Sequence, residues 1–247
     1  MVWVYQLLER DLDEVDPRAV SSGFTAVDRL TGGLQPGWLT VVSTAPGQGK
    51  TTLATQLAGA AAVAGRRVQL HCPRESPRAC AARLVAALGG VSYLDLLTGL
   101  ALEVGALRRA RRARSRLSAS DLDVVAGQAD PLEIWGDCEV LVVDDVHRYP
   151  EGTLDRLRAA SDAGKVVVAT LPEDLLCEER IGTQARLRRP WADPCDLALG
   201  VAWAEPDEAD RQGQADLSVL KNRHGPLLHD TVVFEGVCAR FRDLDPG

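Results

Sequence analysis

Residues 41–52, Val-Val-Ser-Thr-Ala-Pro-Gly-Gln-Gly-Lys-Thr-Thr, constrain this chain more than any other stretch. A β-branched run halts at a turn rich in Gly and Pro, and Lys-Thr-Thr then opens a helix with an apolar stripe. Strand, glycine-rich turn and helix in that order form a phosphate-cradling P-loop, with Gly49-Lys50-Thr51 as its GK[ST] core. Glycines at 47 and 49 let backbone N–H groups turn inward with no Cβ in the way. The helix beginning there adds orphan N–H groups and the positive end of its dipole. Lys50 would reach the β- and γ-phosphates of a nucleotide, and the Thr51 hydroxyl would ligate Mg²⁺. The candidate nucleotide-binding residues are Thr44, Ala45, Pro46, Gly47, Gln48, Gly49, Lys50, Thr51 and Thr52, and the ligands expected are a nucleotide and Mg²⁺. One position departs from GxxxxGK[ST]: Thr44 stands where the first Gly belongs. The alternative is an incidental glycine-rich strand–helix turn.

A length of 247 residues suits one α/β domain, and 46% hydrophobic with 26% charged residues are globular proportions. No apolar run approaches the ~20 residues that span a bilayer. Residues 1–10 lack a basic leader and a cleavage site, so a cytoplasmic protein is expected. Cys72, Cys80, Cys138, Cys177, Cys195 and Cys238 are far apart with no CxxC, which predicts free thiols in place of disulfides or zinc. The net charge of −7 argues against coating duplex DNA electrostatically, but leaves room for DNA in a narrow local channel. Lys50, Lys165 and Lys221 are the three lysines among 28 basic residues. Lys50 and Lys221 fall in the two segments that could address phosphate, where a compact point charge is required.

Along the chain, residues 3–16 read as an amphipathic helix stopped by Pro17, so residues 1–17 are assigned as a linker-like helix and 18–247 as the domain. A short helix is expected within 22–36, the phosphate-loop helix to Gly65, a strand at 67–72 and a capped helix at 76–88. One helix is predicted across 93–117, then strands at 122–125 and 139–144, a helix at 153–163 and a strand at 165–170. Residues 180–194 read as irregular and Arg-rich. Strands at 197–203, 216–220 and 230–234 precede a closing segment at 239–241. Strand–helix alternation followed by strands alone predicts an α/β fold: a mainly parallel central sheet flanked by helices, with antiparallel strands at the C-terminal end.

Several side chains outside the loop carry chemistry. Asp144 ends an apolar strand, where a Walker B carboxylate would hold the metal shell; the alternative is a strand-end turn, since Asp145 follows. Glu75 follows the second strand and would polarise an attacking water, or else simply favours a helix N-terminus at Ser76. Lys221 and Arg223 alternate along a strand, so both could address one phosphate group, from a neighbouring subunit if they act as arginine-finger elements. A solvated hairpin tip is the alternative. The cluster Arg108, Arg109, Arg111, Arg112, Arg114 and Arg116 reads as a solvated helix face before it reads as a DNA surface. Aromatics at 4% argue against base stacking as the main grip on nucleic acid.

The approach Ser-Gly-Phe-Thr-Ala-Val-Asp-Arg-Leu-Thr-Gly-Gly-Leu-Gln-Pro-Gly at 22–37 resembles the start of the RecA-like motor domain of DnaB-type replicative helicases. The likeness continues through Glu75-Ser76, Arg83-Leu84, Leu141-Val142-Val143-Asp144 and the Lys-x-Arg-x-Gly-Pro element at 221–226, to Ala239-Arg240-Phe241. It implies a RecA-like P-loop fold that hydrolyses ATP with Mg²⁺ on Thr51 and Asp144. Glu75 would be the catalytic acid, and Lys221 and Arg223 would act on ATP in the next subunit. His147 stands where the family usually has Gln. The resemblance further implies single-stranded DNA as substrate, a homo-oligomeric ring (a hexamer), replication proteins as partners, and no membrane. Departures bear on unwinding: no counterpart of the N-terminal collar domain, shortened segments between Glu75 and Asp144 and before Asp196, and Leu171-Pro172 where a polar sensor is expected. Two other readings stand beside it: a degenerate RecA-like module that regulates or scaffolds a partner without unwinding, and a RadA-like repair ATPase.

Overall fold

The structure is a computed structural model that describes residues 16–127, 136–181, 184–203 and 211–244. The helix expected at 3–16 lies outside the described residues except for its last position. Helices α1 (Thr25–Thr31), α2 (Lys50–Val63), α3 (Pro77–Gly89), α4 (Tyr93–Thr98), α5 (Val104–Ser118) and α6 (Thr153–Asp162) alternate with strands β1 (Leu39–Thr44), β2 (Val68–Cys72), β3 (Leu122–Ala126), β4 (Val140–Val143) and β5 (Val166–Pro172). Short helices α7 (Glu173–Leu176) and α8 (Arg189–Ala192) bracket the strands β6 (Cys177–Ile181) and β7 (Gln184–Leu187). The chain then runs through β8 (Leu197–Trp203), β9 (Gln214–Asn222), β10 (Leu228–Glu235) and β11 (Arg240–Asp243).

Among the described residues, nine strands form one sheet in the order β11-β10-β9-β8-β1-β5-β4-β2-β3. From β8 to β3 every neighbouring pair is parallel. From β8 to β11 every pair is antiparallel. The alternation of side chains explains why the central strands are continuously apolar. On one face Val42, Val142 and Val168 pack with Leu53 and Leu57 of α2. On the other, Val41, Leu141, Val143 and Val167 pack with Leu154 and Leu157 of α6. Both faces are covered, so each strand needs a hydrophobe at every step.

Strand β11 closes the domain on the phosphate-loop helix. The Phe241 N–H donates to Gln56 Oε1 and the Gln56 amide returns a bond to the Phe241 carbonyl, both at 2.8 Å. At the far end Asp243 accepts the Thr25 N–H at 3.1 Å, tying the last strand to α1.

Two expected segments differ. The helix predicted across 93–117 is two, α4 and α5, because Gly99 adopts a left-handed conformation (φ 81°) and caps α4 by donating to the Asp95 carbonyl. The stretch read as irregular, 180–194, instead carries the antiparallel pair β6–β7 and the short helix α8. Its run of polar residues carries no apolar alternation by which the strands could be read from the sequence. No helix among the described residues is long and apolar enough to cross a membrane. The six cysteines are free thiols, four of them buried.

Candidate functional site

The turn between β1 and α2 has Gly47 at φ 79° and Gly49 at φ 100°, backbone that side-chain-bearing residues rarely adopt. A Cβ on Gly47 would meet nothing, so its space is open. A Cβ on Gly49 would lie 2.8 Å from the Phe241 ring, so close packing as well as backbone conformation demands glycine there. Lys50 and Thr51 begin α2 directly after this turn.

Strand β5 lies between β1 and β4, yet the phosphate loop and Asp144 meet across it. The Thr51 hydroxyl donates to Asp144 Oδ2 at 2.7 Å. From β5, Thr170 Oγ1 donates to Asp144 Oδ1 at 2.6 Å and accepts the Asp145 N–H at 2.9 Å. Asp144 is fully buried. Burial pushes its carboxyl above the usual range, and the donors Thr170 and Thr51 and the Lys50 charge oppose that rise. Thr170, one residue before Leu171-Pro172, thus places a buried hydroxyl against Asp144. A lone threonine ending the apolar run 166–169 is the only signal of it in the sequence.

Gly47, Lys50, Thr51, Arg74, Glu75 and Asp145 help line a cleft of about 410 Å³ over this loop. Glu75 is held by Arg83, whose Nη2 donates to Glu75 Oε1 at 3.0 Å. The same guanidinium reaches Thr52 Oγ1 at 3.4 Å and Tyr93 Oη at 3.3 Å, and lies 4.4 Å from the Tyr93 ring centroid. Beyond Asp144, His147 sits in a 3₁₀ turn, Val146–Arg148. Burial lowers its imidazole pKa, with Asp145 opposing and Arg148 and Lys50 adding to the drop.

Lys221 and Arg223 lie elsewhere. Leu197 pairs with both Thr40 and Asn222, so these residues are level with the start of β1, whereas the phosphate loop follows its end at Thr44. At 3.3 Å per residue, the separation along the strand alone is roughly 13 Å. Lys221 Nζ donates to the Ala192 carbonyl at 2.8 Å and the Cys195 carbonyl at 2.6 Å. Arg223 donates to Asp196 Oδ1 at 3.1 Å but stays 59% exposed. Asp196, a hub the sequence did not reveal, also accepts from the Leu39 N–H and from Arg158. Burial works against its ionisation, yet the Leu39 N–H, Arg158 and Arg223 hold its carboxyl below the ordinary range. Along α5 the six arginines are exposed, and Ala106, Ala110 and Ala113 form the buried side.

A family model described as DnaB-like helicase C terminal domain matches residues 19–134. The replicative DNA helicase DnaB of Haemophilus influenzae is 32% identical in an alignment taking in 98% of this chain and 61% of its own length. The chain thus spans about three fifths of that curated relative. A structure of a DnaB-like replicative helicase, solved to show its interactions with primase, shares the fold with a TM-score of 0.79 at 17% identity, over 98% of this chain and 65% of that one. A second solved structure, of an ATPase domain, gives 0.77 at 16%, over 98% and 96% respectively. The family match and the sequence relative make this chain similar to the DnaB-like helicase C-terminal domains, and the solved structures share its fold.

Proposed function

We propose that this chain is an ATP-hydrolysing motor domain that acts on single-stranded DNA as a ring, a hexamer, with its active sites between subunits. The observation that carries the reading is the clasp of Thr51, Asp144 and Thr170 at the rim of the phosphate loop. A buried carboxylate paired to the first-turn threonine fits a Mg²⁺·ATP ligand set: one hard oxygen anion, one hydroxyl, and room for retained waters. The open left-handed backbone at Gly47 fits the phosphates themselves. When bound, Mg²⁺ neutralises charge on the β- and γ-phosphates and acts as a Lewis acid.

The chain's own residues do the rest in this reading. Residues 44–49 and the start of α2 wrap the phosphates with N–H groups, and Lys50 adds a point charge. Thr51 and Asp144 hold the metal, and Thr170 keeps the Asp144 carboxylate in place. Glu75 accepts the proton of the attacking water, with Arg83 fixing its direction. His147 follows Asp144 in the 3₁₀ turn Val146–Arg148, and burial lowers its imidazole pKa. Lys221 and Arg223 are too far along the sheet to meet the same chain's nucleotide, which supports their acting on a neighbouring subunit's phosphates. Replication proteins, primase among them, are the partners the relatives point to, and the cytoplasm is the expected location.

A specific observation favours a second reading, in which the chain binds nucleotide and regulates a partner without unwinding DNA. The Lys221 ammonium is engaged by the Ala192 and Cys195 carbonyls, and Arg223 by Asp196. Steady-state hydrolysis with and without single-stranded DNA separates the two. DNA-stimulated turnover is expected, and mixing Glu75→Gln with Arg223→Ala subunits restores part of it at mixed interfaces. Nucleotide binding without turnover under any DNA condition would establish the regulatory reading.

A further inference from the structure

Asp145 has three properties that a turn residue does not need together. Its backbone is left-handed, φ 49° and ψ 52°, one of two non-glycine residues with positive φ among the described ones. Such strain persists where the surroundings fix it, and it clusters at functional positions. Its side chain is 8% exposed, yet it lines the cleft above the phosphate loop with Lys50, Thr51 and Glu75. Finally, its Oδ1 is buried without a hydrogen-bond partner. Oδ2 faces Arg148 Nε at 3.6 Å, which balances one side of the carboxylate and leaves Oδ1 without a partner. A buried, unpartnered carboxylate oxygen at the edge of a cleft calls for a donor or a cation.

The turn is built to hold that oxygen in place. Thr170 Oγ1 accepts the Asp145 N–H while donating to Asp144, so one hydroxyl sets both the metal-facing carboxylate and the backbone that aims the second one. Two adjacent buried carboxylates repel each other unless a positive charge comes between them.

We propose that Asp145 is a further carboxylate of the cation site, its free oxygen holding a water of the divalent cation that Thr51 and Asp144 receive. This rests on the nucleotide-binding reading above. Mg²⁺-like cations keep several waters and use one or two carboxylates, so an outer carboxylate that orients a retained water suits them.

The test is Mn²⁺ titration followed by electron paramagnetic resonance, in the presence of a non-hydrolysable ATP analogue, on the parent, Asp145→Asn and Asp145→Gly. Glycine is at home at φ 49°, so the second variant keeps the turn even if asparagine disturbs it. Both variants should weaken Mn²⁺ by about tenfold, the scale of an outer-shell ligand. Analogue affinity measured in EDTA should stay within about twofold of the parent on the same scale. A folded variant that binds Mn²⁺ as the parent does would overturn the proposal while leaving the nucleotide site standing. A parent that binds neither analogue nor Mn²⁺ would instead sink the nucleotide reading, and this inference with it.

Discussion

Replacing Thr170 by valine keeps the side-chain shape and removes one hydroxyl. That hydroxyl makes two buried bonds, a donation to the Asp144 carboxylate and an acceptance from the Asp145 N–H. Thr170 and Asp144 are both fully buried, so no water can substitute. A bond to a charged acceptor contributes about 1.5–3 kcal/mol, and an orphaned buried N–H costs about 1–3 kcal/mol. Together these predict a loss of roughly 3–5 kcal/mol in urea unfolding, or about 6–20 °C in Tm for a domain of this size. The loss depends on pH, with a definite sign. Asp144 has a raised carboxyl pKa in the folded state, so its contribution favours folding most below the ordinary carboxylate range and declines as pH rises through the raised value. Removing the Thr170 donor raises that pKa further, so the valine penalty should grow as pH rises above the ordinary carboxylate range and level off above the raised value. Thr170→Ser keeps the hydroxyl and should lose only about 1 kcal/mol, from its missing methyl group. A valine variant within ~1 kcal/mol of the parent at neutral pH, or a penalty that shrinks as pH rises, would refute this account of Asp144.

Other outcomes follow from the same geometry. Gly49→Ala should lose about 2–4 kcal/mol in thermal or urea unfolding, because it places a Cβ in left-handed backbone 2.8 Å from the buried Phe241 ring. Asp196→Asn should cost about 3 kcal/mol at neutral pH by breaking a buried pair with Arg158. The parent's Asp196 stabilisation is present above the ordinary carboxylate range and lost as pH falls through the depressed value, so acid unfolding curves of parent and variant should converge. Among the described residues none of the six α5 arginines has a carboxylate within ion-pair distance, unlike Arg83, Arg158 or Arg240. Changing Arg108, Arg112 and Arg116 to Gln should lower the slope of log affinity for single-stranded DNA against log salt by about 2 if this face carries phosphate, and leave it unchanged if it is solvated.

The sequence made legible what is contiguous in the chain. The phosphate loop is readable because backbone, lysine and hydroxyl must follow one another within a single turn. The central strands are readable because both their faces are buried, leaving unbroken runs such as 140–143 and 166–169. What remained hidden is assembled by tertiary structure. Thr170 meets Asp144 only because β5 lies between β1 and β4, and Phe241 meets Gly49 although β11 is the edge strand, with three strands between it and β1. The division of 93–117 into two helices turned on one residue, Gly99, whose left-handed cap no periodicity reports. The alternation of Lys221 and Arg223 is plain in the sequence. Their distance from the phosphate loop is not, because it depends on how β9 pairs with β8, through an irregularity between Ala198 and Leu199.

Isothermal titration of Mg·ATP into the parent and Lys50→Ala, with unfolding monitored in parallel, bears most directly on the central reading. A saturable heat in the parent that disappears in an equally stable Lys50→Ala variant is the result expected from a triphosphate seated in the turn at 44–52. Equal heats in both proteins, or no heat in a folded parent, would contradict it.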